Sequence, residues 1–198
     1  MLFVADLWTI SLVPDEAKTN PSHVRTEVIR LDDKPFSLKC GGVLPEVDVA
    51  YQSWGTLNED KSNVILLSHA LSGSHHASGL NPSLPEAGDL WKEELHQGWW
   101  DEFMGPGKAL DTNRFFIICA NYLGGCYGTT GPRSVNPETG KPYGAKFPQI
   151  SVVDQVQMQV GLLDLLGVDV LRAAVGPSVG GLVTLSFATL YPERVKTV

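Results

Sequence analysis

The spacing of hydrophobic and polar residues changes several times along the chain, and each change predicts an element. Apolar residues run almost unbroken through "NVILLSHAL" (63–71), "RFFIICANYL" (114–123) and "VLRAAVG" (170–176). Runs of this length, bounded by turn-forming residues, predict strands buried on both faces. "VDVAYQSWG" (47–55) predicts another strand leading into a turn. In "SVVDQVQMQVGLLDLLG" (151–167) the period shifts. Val153, Val156, Val160 and Leu163 recur at helical spacing, while Asp154, Gln155, Gln157 and Gln159 fall largely on the other face. Gly167 is well placed to end that helix. "GGLVTLSFATLYPERV" (180–195) predicts a second helix, stopped at Tyr191 because the residue before a proline disfavours the α region. "VKTV" (195–198) reads as the opening of a further strand.

Strands alternating with helices place the chain in the α/β class, with a mostly parallel sheet and helices on both faces. Ligands of such sheets bind beyond the carboxyl ends of the strands. Three loops leave such ends: 68–79, 121–131 and 176–181. Their convergence on one rim predicts a site before any motif is considered.

Composition narrows the function. The 198 residues are 43% hydrophobic, enough for one sizeable core, and the net charge of −7 argues against a nucleic-acid surface. Cys40, Cys119 and Cys126 form no C-x-x-C pair and read as buried free thiols in a reducing compartment. Met1–Pro14 is apolar but interrupted by Asp6, too short to span a membrane and without the basic start of a signal peptide. The expected location is the cytoplasm, with no membrane partner.

The chemistry is concentrated in the three loops. Ser178 stands in "GPSVGG" (176–181), between a predicted strand and a predicted helix. It is either the nucleophile of a sharp strand–turn–helix elbow or a serine in an ordinary Gly-rich loop. The flanking strand and helix and the small residues Gly176, Gly180 and Gly181 favour the elbow. Pro177 removes one donor and fixes φ, which a position before a nucleophile tolerates if its N–H is not needed. The backbone N–H of Val179 would open the helix, where orphan donors and the helix dipole favour negative charge. That makes half of an oxyanion hole. The N–H of Leu71, in "SHALSGSHHASG" (68–79), is the expected second half.

His69, at a strand end, reads as structural. His75 and His76 are either solvated or in contact with substrate, and a metal site built from the three is disfavoured because no carboxylate stands near. All five histidines precede Ser178, whereas this kind of elbow expects its acid and its histidine after the serine. The loop "NYLGGCYGTTGPRS" (121–134) is either a tight turn or a pocket wall of backbone donors and small hydroxyls, with Asn121, Gly124 and Gly125 as the candidate substrate-binding residues. Cys126 is a poor nucleophile candidate, since no basic neighbour nearer than Arg133 would lower its pKa.

Together with "SHALSGSHHASG", the segments "GWWDEFMGPGKALDT" (98–112), "NYLGGCYGTTGP" (121–132), "FPQISVVDQV" (147–156) and "GPSVGGLVTLSFATLYPERV" (176–195) resemble the homoserine O-acetyltransferase family of α/β-hydrolase-fold acyltransferases. The similarity runs from about Thr26 to Val198. Residues 1–25 form an N-terminal extension with no assigned role, and 26–198 correspond to the N-terminal portion of the hydrolase domain. Pro177 and Val179 depart from the family's usual Gly and Met. The resemblance implies a ping-pong transfer. Ser178 attacks the thioester of acetyl-CoA, the N–H groups of Leu71 and Val179 hold the oxyanion, and the hydroxyl of L-homoserine takes the acetyl group, feeding methionine biosynthesis. It implies acetyl-CoA as substrate, no cofactor or metal, and compatibility with a homodimer of the full-length protein. Alternatives are a serine esterase or thioesterase of the same fold, a succinyl donor, or serine as acceptor.

After Ser178 the chain has no His and no Asp, and its sole carboxylate is Glu193. The resemblance implies a lid and the catalytic Asp and His beyond residue 198. The expectation is therefore an incomplete enzyme, inactive alone, in which strand 170–176 lacks an outer partner.

Overall fold

The computed structural model describes residues 26–31 and 34–198, and the extension expected over 1–25 lies outside them. The central sheet has five strands: β1 (Glu27–Arg30), β2 (Asp48–Trp54), β3 (Val64–Leu67), β4 (Phe116–Ala120) and β5 (Ala173–Val175). Their order is β1-β2-β4-β3-β5. β4, β3 and β5 are parallel, whereas β1 and β2 run antiparallel to their neighbours. The sheet is therefore mixed, and the expected parallel arrangement is confined to the three strands that carry the loops of interest. The short connection 55–63 between β2 and β3 holds no helix, although β4 lies between the two strands in the sheet.

Of the three cysteines expected to be buried only Cys119 is, within β4; Cys126 is half-buried and Cys40 is exposed. The apolar runs are buried on both faces. Val64 and Leu66 pack into one core cluster and Ile65 and Leu67 into another; Phe116, Ile118 and Ala120 alternate in the same way with Ile117 and Cys119. The first cluster is closed by two helices, α1 (Val152–Leu165) and α2 (Val179–Leu190), through Val156, Met158, Leu162, Val183 and Phe187. The second is closed by the 70–112 segment, through Ala77, Met104, Trp99 and Trp100. Both α-helices thus share one face, and the expectation of helices on both faces is corrected. The segment between β3 and β4 covers the opposite face without an α-helix, and its two short 3₁₀ turns, Gly88–Leu90 and Glu93–Leu95, flank Trp91 of a separate small cluster with Leu84 and Ala87.

α1 starts at Ser151 in a capping box with Asp154, and Gly167 follows its end at φ 65°. Asp154 and Gln159 are fully buried, although their spacing suggested the polar face. Asp154 also accepts the N–H of Lys39 at 2.7 Å, so its burial is compensated by bonds made across the core. α2 ends at Leu190, and Pro192–Arg194 form a 3₁₀ turn. Residues 195–197 then run beside β5, with Leu171 bridging Val195 and the N–H of Ala174 donating to the Thr197 carbonyl at 2.9 Å. The outer edge of β5 is therefore partly covered, contrary to the expectation of a bare edge.

Candidate active site

Parallel pairing fixes the rim. Val175 lies opposite Leu67, and Leu67 opposite Cys119, so the loops after β5, β3 and β4 leave the sheet side by side. Ser178 occupies the turn between β5 and α2 with φ 54° and ψ −124°, one of two non-glycine residues at positive φ among the described residues. Such a backbone costs about 1–3 kcal/mol and persists only where its surroundings enforce it. Here the enforcement is close packing. A Cβ on Gly176 would stand 2.8 Å from the Ser68 carbonyl oxygen, and one on Gly180 2.9 Å from that of His69. The two glycines are needed for approach of backbone to backbone, since neither has a positive φ. Pro177 fits because its carbonyl is what the turn uses, accepting the N–H of Gly180 at 2.8 Å.

The Ser178 side chain is exposed and makes no capping bond to α2. Among the described residues the N–H of Val179 donates to no protein acceptor, and the same holds for Leu71, whose side chain is 82% exposed in the turn after β3. An exposed hydroxyl beside a free N–H at a helix start can accept an acyl group and stabilise the resulting oxyanion. Glu193 is exposed in the 3₁₀ turn after α2. Two clefts of about 330 and 390 Å³, around Lys61–Asp169 and around Trp54–Asp101, are not lined by Ser178.

The histidines are built into the scaffold. His69 is buried, its Nδ1 lies 2.7 Å from the Ala70 carbonyl, and desolvation pushes its pKa down to about 4. His75, bonded through Nε2 to the Thr26 hydroxyl at 2.8 Å, is pushed down to about 3 by burial and by the neighbouring His69 and His76. His76 is held between the Gln52 side chain and the His96 carbonyl, each at 2.9 Å, and burial lowers its pKa too. The solvated reading of His75 and His76 is therefore excluded by their burial.

The 121–131 loop folds back on β2. The hydroxyls of Thr129 and Thr130 accept the N–H groups of Ala50 and Asp48 at 3.0 and 2.8 Å, so these small hydroxyls serve the sheet. The N–H groups of Gly124 and Gly125 are taken within the loop by the carbonyls of Thr130 and Tyr122. Asn121 is buried, with its Nδ2 unpartnered among the described residues and packed beneath Gly125. Gln155 of α1 grips Leu123 by both its N–H and its carbonyl at 2.9 Å. Two contacts between loops have no local sequence signal. The Tyr122 hydroxyl donates to the His69 carbonyl at 2.7 Å, and Gln159 donates to the Ser68 hydroxyl at 3.0 Å.

Among known proteins, the chain is 45% identical over 88% of its length to a homoserine O-acetyltransferase of Deferribacter desulfuricans, covering 44% of that protein. It is 49% identical over 83% of its length to a homoserine O-succinyltransferase of Dechloromonas aromatica, covering 41%. A serine O-succinyltransferase of Emericella nidulans is 47% identical over 92% of the chain and is covered to 32%. Among solved structures, the homoserine O-acetyltransferase of Bacillus anthracis superposes with TM-score 0.75 at 37% identity, over 88% of this chain and 45% of that one. Esterase E22 superposes with TM-score 0.74 at 39% identity, over 87% and 45%. The chain thus spans less than half the length of each of these relatives. The family model of the α/β-hydrolase fold matches residues 63–198, the region from β3 through the elbow and α2. By that match, and by the strand–Ser178–helix geometry within it, the chain belongs to the α/β-hydrolase fold family.

Proposed function

We propose that this protein is an O-acyltransferase that moves an acetyl group from acetyl-CoA to the hydroxyl of L-homoserine through an acyl-serine on Ser178, a step leading toward methionine. The observation that carries this reading is Ser178 itself, held at positive φ at the start of α2 with the Val179 N–H free beside it. Its similarity to homoserine O-acyltransferases supplies the acceptor. The Ser178 oxygen adds to the thioester carbonyl, and the N–H groups of Val179 and Leu71 receive the negative charge. Collapse expels CoA as the thiol and leaves the acyl-enzyme. The homoserine hydroxyl then adds to the ester, and Ser178 leaves with the proton restored. A serine hydroxyl is a weak nucleophile and needs a base, which in this fold follows the nucleophile in sequence. The scheme uses acyl-CoA as substrate and no metal or cofactor. Gly124 and Gly125 shape the wall of the acceptor site, and Asn121 supports them from beneath.

A succinyl donor and a serine acceptor are the nearest variants of the scheme, given the relatives that carry those names. The likeness to esterase E22 favours a second reading, in which water takes the acyl group. Transfer requires that water be kept from the acyl-enzyme while the amino-acid hydroxyl is admitted.

The test uses the protein as encoded in its gene. Incubation with acetyl-CoA should place a single acetyl on Ser178, and added homoserine should convert it to O-acetylhomoserine. Faster turnover with succinyl-CoA would reassign the donor, and O-acetylserine the acceptor. Free acetate at the same rate with and without homoserine would establish the esterase. Ser178→Ala should abolish the adduct, and an acetyl found on Cys126 instead would overturn the assignment.

A further inference from the structure

Two buried side chains from different elements grip the strand end that leads into the oxyanion turn. Ser68 is the first residue after β3. Its N–H donates to the Val175 carbonyl at 2.8 Å, and its hydroxyl accepts Gln159 Nε2 of α1 at 3.0 Å. The next carbonyl, that of His69, accepts the Tyr122 hydroxyl at 2.7 Å, and the Tyr122 ring stacks on the His69 ring with centroids 3.9 Å apart. Gly180 lies against the carbonyls of Ser68 and His69, so close that a Cβ there would stand 2.9 Å from the His69 oxygen. Segment 68–69 is thus held at once by Tyr122, by Gln159 and by the first turn of α2. Leu71 stands two residues beyond the gripped carbonyl, and Val179 is the residue before Gly180. The clamp therefore sets the spacing between the two free N–H groups.

We infer that Tyr122 and Gln159 are positioning residues for acyl transfer, acting through His69 and Ser68 to hold the Leu71 N–H in register with the Val179 N–H. The inference rests on the acyl-serine reading proposed above. Both side chains are suited to the task. Tyr122 is 8% exposed and Gln159 fully buried, so neither bond competes with water. Burial raises the Tyr122 pKa, which keeps the phenol a donor. Preorganised donors lower a barrier only if they are already in place, and a displacement of about 1 Å costs on the order of a hundredfold in rate.

The variants are Tyr122→Phe, which keeps the ring and its stack, and Gln159→Met, which keeps the volume. Rapid-quench measurement of Ser178 acylation by acyl-CoA, per folded molecule by circular dichroism, should show a loss of about tenfold to a hundredfold in each. CoA affinity should stay within about twofold, because the clamp bears on the oxyanion and not on the ground state. A purely structural role would lower the unfolding midpoint and leave the rate per folded molecule unchanged. If one variant fails to fold, the other decides. If both fold and acylate within about twofold of wild type while Ser178→Ala is dead, the clamp is refuted and the acyl-serine reading stands; failure of both to fold also refutes it as a positioning device. If the wild-type protein forms no acyl adduct on Ser178, both the clamp and the reading on which it rests fall.

Discussion

A Cβ on Gly180 would stand 2.9 Å from the carbonyl oxygen of His69 and closer still to that of Ser68. The elbow and the turn after β3 therefore touch backbone to backbone, and no flexible side chain lies between them to yield. Gly180→Ala should push the two turns apart. Overpacking of a fixed core costs about 1–3 kcal/mol, and this contact lies at the upper end or beyond. The same displacement would separate the two N–H groups, so acylation of Ser178 should fall further than stability does. Denaturant midpoints and adduct formation read the two effects separately. An alanine variant as stable and as readily acylated as wild type would contradict the packing described.

The strain at Ser178 gives a second expectation. Alanine at this position removes the hydroxyl but keeps a Cβ at φ 54°, whereas glycine removes both. Relief of the about 1–3 kcal/mol of backbone strain should outweigh the 0.5–1 kcal/mol or so that glycine loses in chain entropy. Ser178→Gly should therefore unfold at a higher temperature than Ser178→Ala. Equal midpoints would mean that the turn is not strained.

These features were legible in the sequence to different degrees. The strands, both helices and the elbow are local signals: an apolar run, a period and two glycines around a serine. The distribution over faces is not local. Nothing in residues 151–167 says that α1 shares a face with α2, and the 70–112 segment, without an α-helix of its own, still covers the other face. Polar character also misled at Asp154 and Gln159, which are buried because each meets a partner from far along the chain, Lys39 and Ser68. The small hydroxyls of the 121–131 loop suggested a pocket lining, yet Thr129 and Thr130 complete hydrogen bonds along β2, 79 and 82 residues away in sequence.

Asp154 is the easiest of these to test. Its carboxylate accepts from the Ser151 N–H at 2.7 Å, the Ser151 hydroxyl at 2.6 Å and the Lys39 N–H at 2.7 Å. Asp154→Ala removes a capping box and leaves part-buried donors of Ser151 and Lys39 without that acceptor. Loss of a cap costs about 1 kcal/mol and a stranded buried group about 1–3 kcal/mol; with donors that are only part-buried the variant should lose roughly 1–3 kcal/mol. Asp154→Asn keeps one acceptor oxygen and should lose less. Urea titration of the two variants orders them, and an alanine variant within about 0.5 kcal/mol of wild type would show that the bonds carry no net stability.

The buried imidazoles make stability depend on pH in a window above the carboxylate range. His69 and His75 are pushed from 6.5 down to about 4 and about 3, first by desolvation, with His69 and His76 adding repulsion at His75. Between pH 6.5 and about 4 the unfolded chain binds a proton at each residue and the folded protein does not. Stability therefore rises with pH across this window, is fully present above pH 6.5 and is lost as the pH falls toward the folded values. From pH 7.5 to 5.5 the loss should be on the order of 1 kcal/mol per imidazole, with ordinary carboxylates, near 4, still ionised in both states. Denaturant unfolding at the two pH values measures it. His75→Asn should remove its own share of the difference, since Asn does not titrate, and leave that of His69 and His76. A stability unchanged between pH 7.5 and 5.5 would mean that these rings are hydrated in solution and that the core beneath the turn after β3 is open to water.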